Sequence, residues 1–113
     1  MIAVNENSFD QEVLAASVPV LINFWAPWCG VCRLINPLLS QVNQLTGSSV
    51  IKVVSVNADE NFKLANAYRL KTLPTLLLIK EGRVCDRIEG FSGRDEFRLA
   101  LEQLSHQCHL YSA

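Results

Sequence analysis

Cys29 and Cys32, three positions apart in the stretch WAPWCGVC at residues 25–32, are the residues of this chain best suited to chemistry. The pair has three readings: a redox couple, half of a metal site, or coincidence. At the start of a helix, side chains three apart share one side and come within disulfide distance. The first helical turn also presents unpaired N–H groups, whose partial positive charge favours a thiolate over a thiol. Cys29, at the very start, is then the attacking thiol. Cys32, a turn further in, is the shielded thiol that resolves a mixed disulfide. A zinc site needs about four ligands. The other candidates are Cys85, His106, Cys108 and His109, with no second C-x-x-C among them. A strand feeding the pair and a helix leaving it favour redox chemistry over zinc.

Those flanking elements are readable. Residues 19–25 (PVLINFW) form a short, mostly apolar run, as expected of a strand buried on both faces. From Gly30 to Leu45, apolar residues at 34, 35, 38, 42 and 45 keep helical spacing, with Pro37 predicted to kink the helix and Gly47 to end it. Upstream, Ser8 and Gln11 fit a capping box opening a short helix to about residue 16. Downstream, residues 50–56 (VIKVVSV) read as a strand and 59–68 as a short helix. Residues 75–79 and 83–89 flank Lys80-Glu81-Gly82 as a hairpin. Ser92 with Asp95 caps a last helix carrying Phe97, Ala100, Leu101 and Leu104 on one face, and residues 106–113 read as a frayed tail. With a marginal first strand at 2–4, strands and helices alternate, which predicts right-handed crossovers, a parallel core and an antiparallel edge.

The gross properties set limits. A chain of 113 residues, half of them hydrophobic, makes one domain with a full core and no need of stapling. A net charge of −1 with scattered Lys and Arg argues against nucleic acid or an anionic membrane as partner. The opening MIAVNENSFDQE has no basic region followed by an apolar one, and the apolar stretch near residues 18–28 is interrupted by Pro19, Asn23 and Pro27. The expectation is a soluble cytoplasmic protein. In a reducing compartment a close cysteine pair is catalytic or metal-binding rather than structural.

W-A-P-W-C-G-V-C-R, the kinking Pro37, T-L-P-T at 72–75 and Gly90 in E-G-F-S together resemble a thioredoxin over nearly the whole chain. The resemblance implies an α/β thioredoxin fold, a central mixed sheet of about five strands flanked by about four helices, as a single domain over 1–113. It implies a protein dithiol–disulfide oxidoreductase without cofactor or metal, with Cys29 as nucleophile and Cys32 as resolving thiol. Gly30 and Val31 support the pair from between. Pro74 is then the cis-proline facing the pair, and Leu73 offers backbone hydrogen bonds to a substrate strand. Trp28 and Gly90 line the docking surface, and Trp25 packs beneath the loop. The implied partners are protein disulfides, with a reductase or glutathione as electron donor, and the implied state is a monomer. A non-catalytic binding module using the same surface stays open beside the enzyme. Arg33, Asp59 and Lys71 read as a solvated rim, and Cys85 and Cys108 as extra to the motif.

The chain departs from the family in three places. Thioredoxins usually read C-G-P-C, where this chain has Val31. Asn23 stands where the family has a buried aspartate behind the resolving cysteine, and Ser55 where it has the lysine that pairs with that aspartate. Exchanging a buried ion pair for neutral groups is expected to be neutral or stabilising. An amide takes no proton, so resolution by Cys32 is expected to slow. Loss of the negative charge favours the dithiol, which predicts a potential less reducing than the roughly −270 mV that is the reference value for thioredoxin.

Overall fold

The structure is a computed structural model that describes residues 1–47 and 50–112, with side chains described through residue 104. Five strands form one mixed sheet: β1 (Ile2–Ala3), β2 (Val20–Trp25), β3 (Lys52–Asn57), β4 (Thr75–Lys80) and β5 (Arg83–Ile88), in the order β1-β3-β2-β4-β5. β1 and β2 run parallel to β3, while β4 runs antiparallel to both β2 and β5. β2 therefore lies at the centre of the sheet, which explains its unbroken apolar run: both faces are covered.

The helices are α1 (Gly30–Leu39), α2 (Val42–Thr46), α3 (Phe62–Ala67) and α4 (Arg94–Ser112). On one face of the sheet Leu21, Leu76 and Leu78 pack with Ile35, Leu38, Leu39 and Val42 of α1 and α2, and with Phe97, Leu101 and Leu104 of α4. On the other face Val20, Ile22, Phe24, Val54 and Leu77 pack with Phe9 and Val13, and against Leu64 and Tyr68. Cys85 is buried in the first cluster; Cys108 and the tail expected over 106–113 lie outside the residues whose side chains are described. Among the described residues no helix is long and apolar enough to cross a membrane.

Several local expectations change. Residues 10–14 form a single wide π turn, Asp10–Leu14, without a side-chain cap. Ser8 does not cap it, because its Oγ accepts from the Asn5 N–H at 3.1 Å. Asn5 Oδ1 accepts from the N–H groups of Asn7 and Ser8 at 2.9 and 3.0 Å, so the turn closes around Asn5 instead. The predicted single kinked helix is two helices. Pro37 has no N–H for the Arg33 carbonyl, α1 ends at Leu39, and Ser40 Oγ donates to the Pro37 carbonyl at 2.8 Å. Gly47, at φ 73°, closes α2 in the left-handed region. A 3₁₀ turn, Ala58–Glu60, precedes α3 where one helix was expected. At α4 the capping partner of Ser92 is Glu96 rather than Asp95: Ser92 Oγ and N–H donate to its carboxylate at 2.8 and 3.1 Å. The hairpin turn has Glu81 and Gly82 both at positive φ (53° and 78°), the type I′ geometry that matches strand twist.

Candidate active site

β2 ends at Trp25, a tight loop follows, and α1 begins at Gly30. Cys29 is the N-cap residue of α1, with extended backbone (φ −87°, ψ 105°). Its Sγ accepts a hydrogen bond from the Cys32 N–H at 3.1 Å, one of the donors a helix start leaves unpaired. No acidic residue lies in that first turn to offset the partial positive charge. Arg33 Nη1 fastens the loop from outside by donating to the Pro27 carbonyl at 3.0 Å.

Cys29 and Cys32 are joined by a disulfide, their Cα atoms 5.3 Å apart. Both residues are buried, at 5% and 2% exposure, so in the disulfide form Cys29 is only marginally the more open of the two. Gly30 between them is exposed and Val31 half-buried.

Strand register brings the other site residues to the same edge of the sheet. Thr75, the first residue of β4, pairs with Phe24 near the end of β2, so Pro74 sits beside the loop that carries the cysteines. The Leu73–Pro74 bond is cis, Pro74 is buried and Leu73 half-buried. Ile88 pairs with Leu76, which returns the end of β5 to this edge, and exposed Gly90 follows at φ 73°. That backbone conformation favours glycine whatever the surrounding space. Trp25 is half-buried and borders a cleft of about 230 Å³ with Ser55, Asn57 and Glu60.

Trp28 stands out from this edge at 67% exposure, unusual for so large an apolar side chain. It is held by a bond from its Nε1–H to Asp59 Oδ2 at 2.9 Å. Asn57 Oδ1 in turn accepts from the Asp59 N–H at 2.9 Å and caps the 3₁₀ turn. Asp59, read from sequence as solvated rim, is thus what orients the exposed indole. Its only sequence signal is the N-x-D turn spacing, which says nothing of a tryptophan 31 positions away.

Asn23 is buried at 1% exposure and pairs in register with Ser55 on one side and Leu76 on the other. Asn23 and Ser55, which the resemblance sets where thioredoxins carry an ion pair, are therefore direct neighbours across β2 and β3. Among the described residues, Asn23 Oδ1 is the one buried side-chain polar atom without a hydrogen-bond partner. No group of three or more His, Cys, Asp or Glu among them is placed to hold a metal ion.

The chain's similarity to known proteins follows this architecture. The thioredoxin family profile matches residues 1–103. "Thioredoxin 1" of Synechococcus elongatus is 46% identical over 88 residues, covering 78% of this chain and 81% of the relative. "Thioredoxin 1" of a Nostoc species is 41% identical over 100 residues, covering 88% and 92%. The chloroplastic "Thioredoxin M-type" of Chlamydomonas reinhardtii is 42% identical over 90 residues, 78% of this chain and 62% of its own length. A β1-β3-β2-β4-β5 sheet, a cysteine pair at the head of the helix that leaves its central strand, and this similarity over most of the sequence together make the chain a member of the thioredoxin family.

Proposed function

We propose that this protein is a dithiol–disulfide oxidoreductase that reduces disulfides of other proteins, with Cys29 as nucleophile and Cys32 as resolving thiol. The observation that carries the assignment is the position of Cys29 at the N-cap, its sulfur already accepting the Cys32 N–H. A donor held on that sulfur stabilises a thiolate more than a thiol, since bonds to the charged form are the stronger ones. The Cys29 thiolate attacks one sulfur of a target disulfide, forming a mixed disulfide and expelling the first target thiolate, which takes up a proton. Cys32 then loses its proton, attacks Cys29 Sγ and expels the second target thiolate. The target ends as a dithiol and the protein as the Cys29–Cys32 disulfide.

The docking surface is the end of the sheet where exposed Trp28 and Gly90 flank the Leu73–Pro74 segment, an apolar indole beside backbone with which an extended target segment would pair. Asn23, Gly30 and Val31 tune the pair. With Asn23 in place of a carboxylate the potential lies above the roughly −270 mV reference for thioredoxin. The protein works as a cytoplasmic monomer, taking its electrons from a reductase or from glutathione.

Insulin reduction by dithiothreitol, followed by turbidity, tests the assignment. The parent protein is expected to accelerate precipitation and Cys29→Ser to abolish the acceleration. Equal rates for the two would sink the enzymatic reading and favour a module that binds partners through the same edge.

A further inference from the structure

The buried amide of Asn23 has a consequence for the reduced protein. Alternate residues of β2 face opposite sides: Ile22 and Phe24 belong to one cluster and Leu21 to the cluster under α1. Asn23 therefore points to the α1 side, one same-face step, about 7 Å, beyond Leu21 toward the end of the strand. α1 lies in the crossover from β2 to parallel β3, so it runs back antiparallel to β2 over this face. Leu21 packs with Ile35, Leu38 and Leu39. Cys32 is one turn nearer the helix start than Ile35, on the same buried face, which sets it over Asn23 as Ile35 is set over Leu21.

Asn23 Oδ1 has no hydrogen-bond partner in the disulfide form, although its residue is 1% exposed. A buried acceptor left unpaired is costly, and native proteins rarely leave one without a reason. In the disulfide form Cys32 Sγ carries no hydrogen. Reduction of the Cys29–Cys32 bond takes two electrons and two protons, and the proton on Cys32 Sγ adds a donor on the buried helix face toward which Asn23 points.

We propose that Asn23 is a positioning residue for the resolving cysteine: its Oδ1 accepts the Cys32 Sγ–H hydrogen bond in the dithiol form and is left unpaired in the disulfide form. This deepens the oxidoreductase reading, on which it rests, and assigns the amide an active part. An amide oxygen accepts the bond but cannot remove the proton. Cys32 is thus held as a thiol until the mixed disulfide forms, and its proton then leaves with the departing target thiolate. Because one redox state satisfies the amide and the other does not, Asn23 biases the exchange equilibrium toward the dithiol.

The test is the equilibrium of the Cys29–Cys32 couple against glutathione, measured on the intact protein together with urea unfolding of the oxidised and reduced forms. Asn23→Leu removes the acceptor and keeps the branched shape of the side chain, and Asn23→Ala serves if the bulkier leucine variant does not fold. Each variant is expected to shift the equilibrium about tenfold toward the disulfide, which is about 30 mV for a two-electron couple. Each is also expected to raise the stability of the oxidised form relative to the reduced one. Ser55→Ala is expected to leave the equilibrium within about twofold of the parent. Asn23 variants within twofold of the parent, or equal stability changes in both redox forms, would make the residue merely structural and overturn the proposal. A Ser55→Ala shift as large as that of the Asn23 variants would overturn it too, by making the hydroxyl the partner. The titration needs no target protein, so a failure to reduce insulin counts against the oxidoreductase reading and leaves this equilibrium as an independent result.

Discussion

The two sides of β2 are built on different principles. Val20, Ile22 and Phe24 point into a cluster closed by Phe9, Val13, Val54, Val56 and Leu77, with no buried polar side chain left wanting. On the other side Leu21, Asn23 and Trp25 grade from fully apolar, through a buried amide with one unpaired oxygen, to a half-buried indole at a cleft. One strand thus carries a closed, apolar face and a face that admits a buried polar group and then opens to a cleft toward the disulfide. The difference teaches that the sheet divides labour: one side supplies stability that is indifferent to redox state, and the other lets stability depend on it. Burial of apolar area is non-directional and blind to the protonation of a thiol, whereas a hydrogen bond to that thiol is not.

The largest test of this division is Phe24→Ala. Phe24 is fully buried and its ring lies 6.2 Å from that of Tyr68, so truncation leaves a cavity in a close-packed cluster. The expected loss is about 3–5 kcal/mol of unfolding free energy. It should appear equally in urea melts of the oxidised and reduced protein, with the glutathione equilibrium unchanged. A loss that differs between the redox forms would show that the closed face is coupled to the chemistry after all.

A smaller effect is expected at the exposed end of the graded face. Asp59→Ala removes the acceptor that holds the Trp28 indole. A bond at the surface adds only about 1 kcal/mol to stability or less, so unfolding should barely change. Reduction of insulin should slow a few-fold through a higher KM, because a freely rotating indole must be ordered at each encounter. Reduction of a small-molecule disulfide, which needs no docking surface, should keep its rate. Equal slowing with both substrates would place Asp59 in the chemistry rather than in docking.

Much of this was legible in the sequence, for reasons that were local. The apolar run of β2, the Glu81-Gly82 turn and the cysteine pair at a strand-to-helix junction each depend on neighbours within a few positions, where spacing and backbone preference speak directly. The same locality explains the misses. Ser8 looked like a cap because the serine–glutamine spacing is right, but Asn5 competes for the same turn and wins. Ser92 chose Glu96 over Asp95, a difference of one position that spacing rules do not resolve. The hold of Asp59 on Trp28 joins two distant parts of the chain, so no window of sequence contains it. The burial of Asn23 was legible from its place inside an apolar strand run. Its unpaired oxygen was not, since that depends on what Ser55 and Leu76 place beside it.

The smallest test is a titration of the closed face. Tyr68 packs there against Phe9 and Phe24, with ring centroids 5.8 and 6.2 Å away. Burial raises its pKa above the ordinary 10.0, and the negative charge of Asp10 adds to the rise. A raised pKa means that the folded protein holds the phenolic proton more tightly than the unfolded chain does. The stability this contributes is fully present below the unfolded-state value and is lost as pH rises through the folded one. Parent and Tyr68→Phe should therefore differ by a constant amount in urea melts up to about pH 9, after which the parent should weaken relative to the variant, since phenylalanine has nothing to ionise while every other alkaline group titrates in both. Because the phenol belongs to the face that is indifferent to the disulfide, the alkaline loss should be the same size in oxidised and reduced protein. A loss confined to one redox form would mean that the charge state of one side of β2 is felt on the other. The strand would then act as a conductor between its faces rather than a partition.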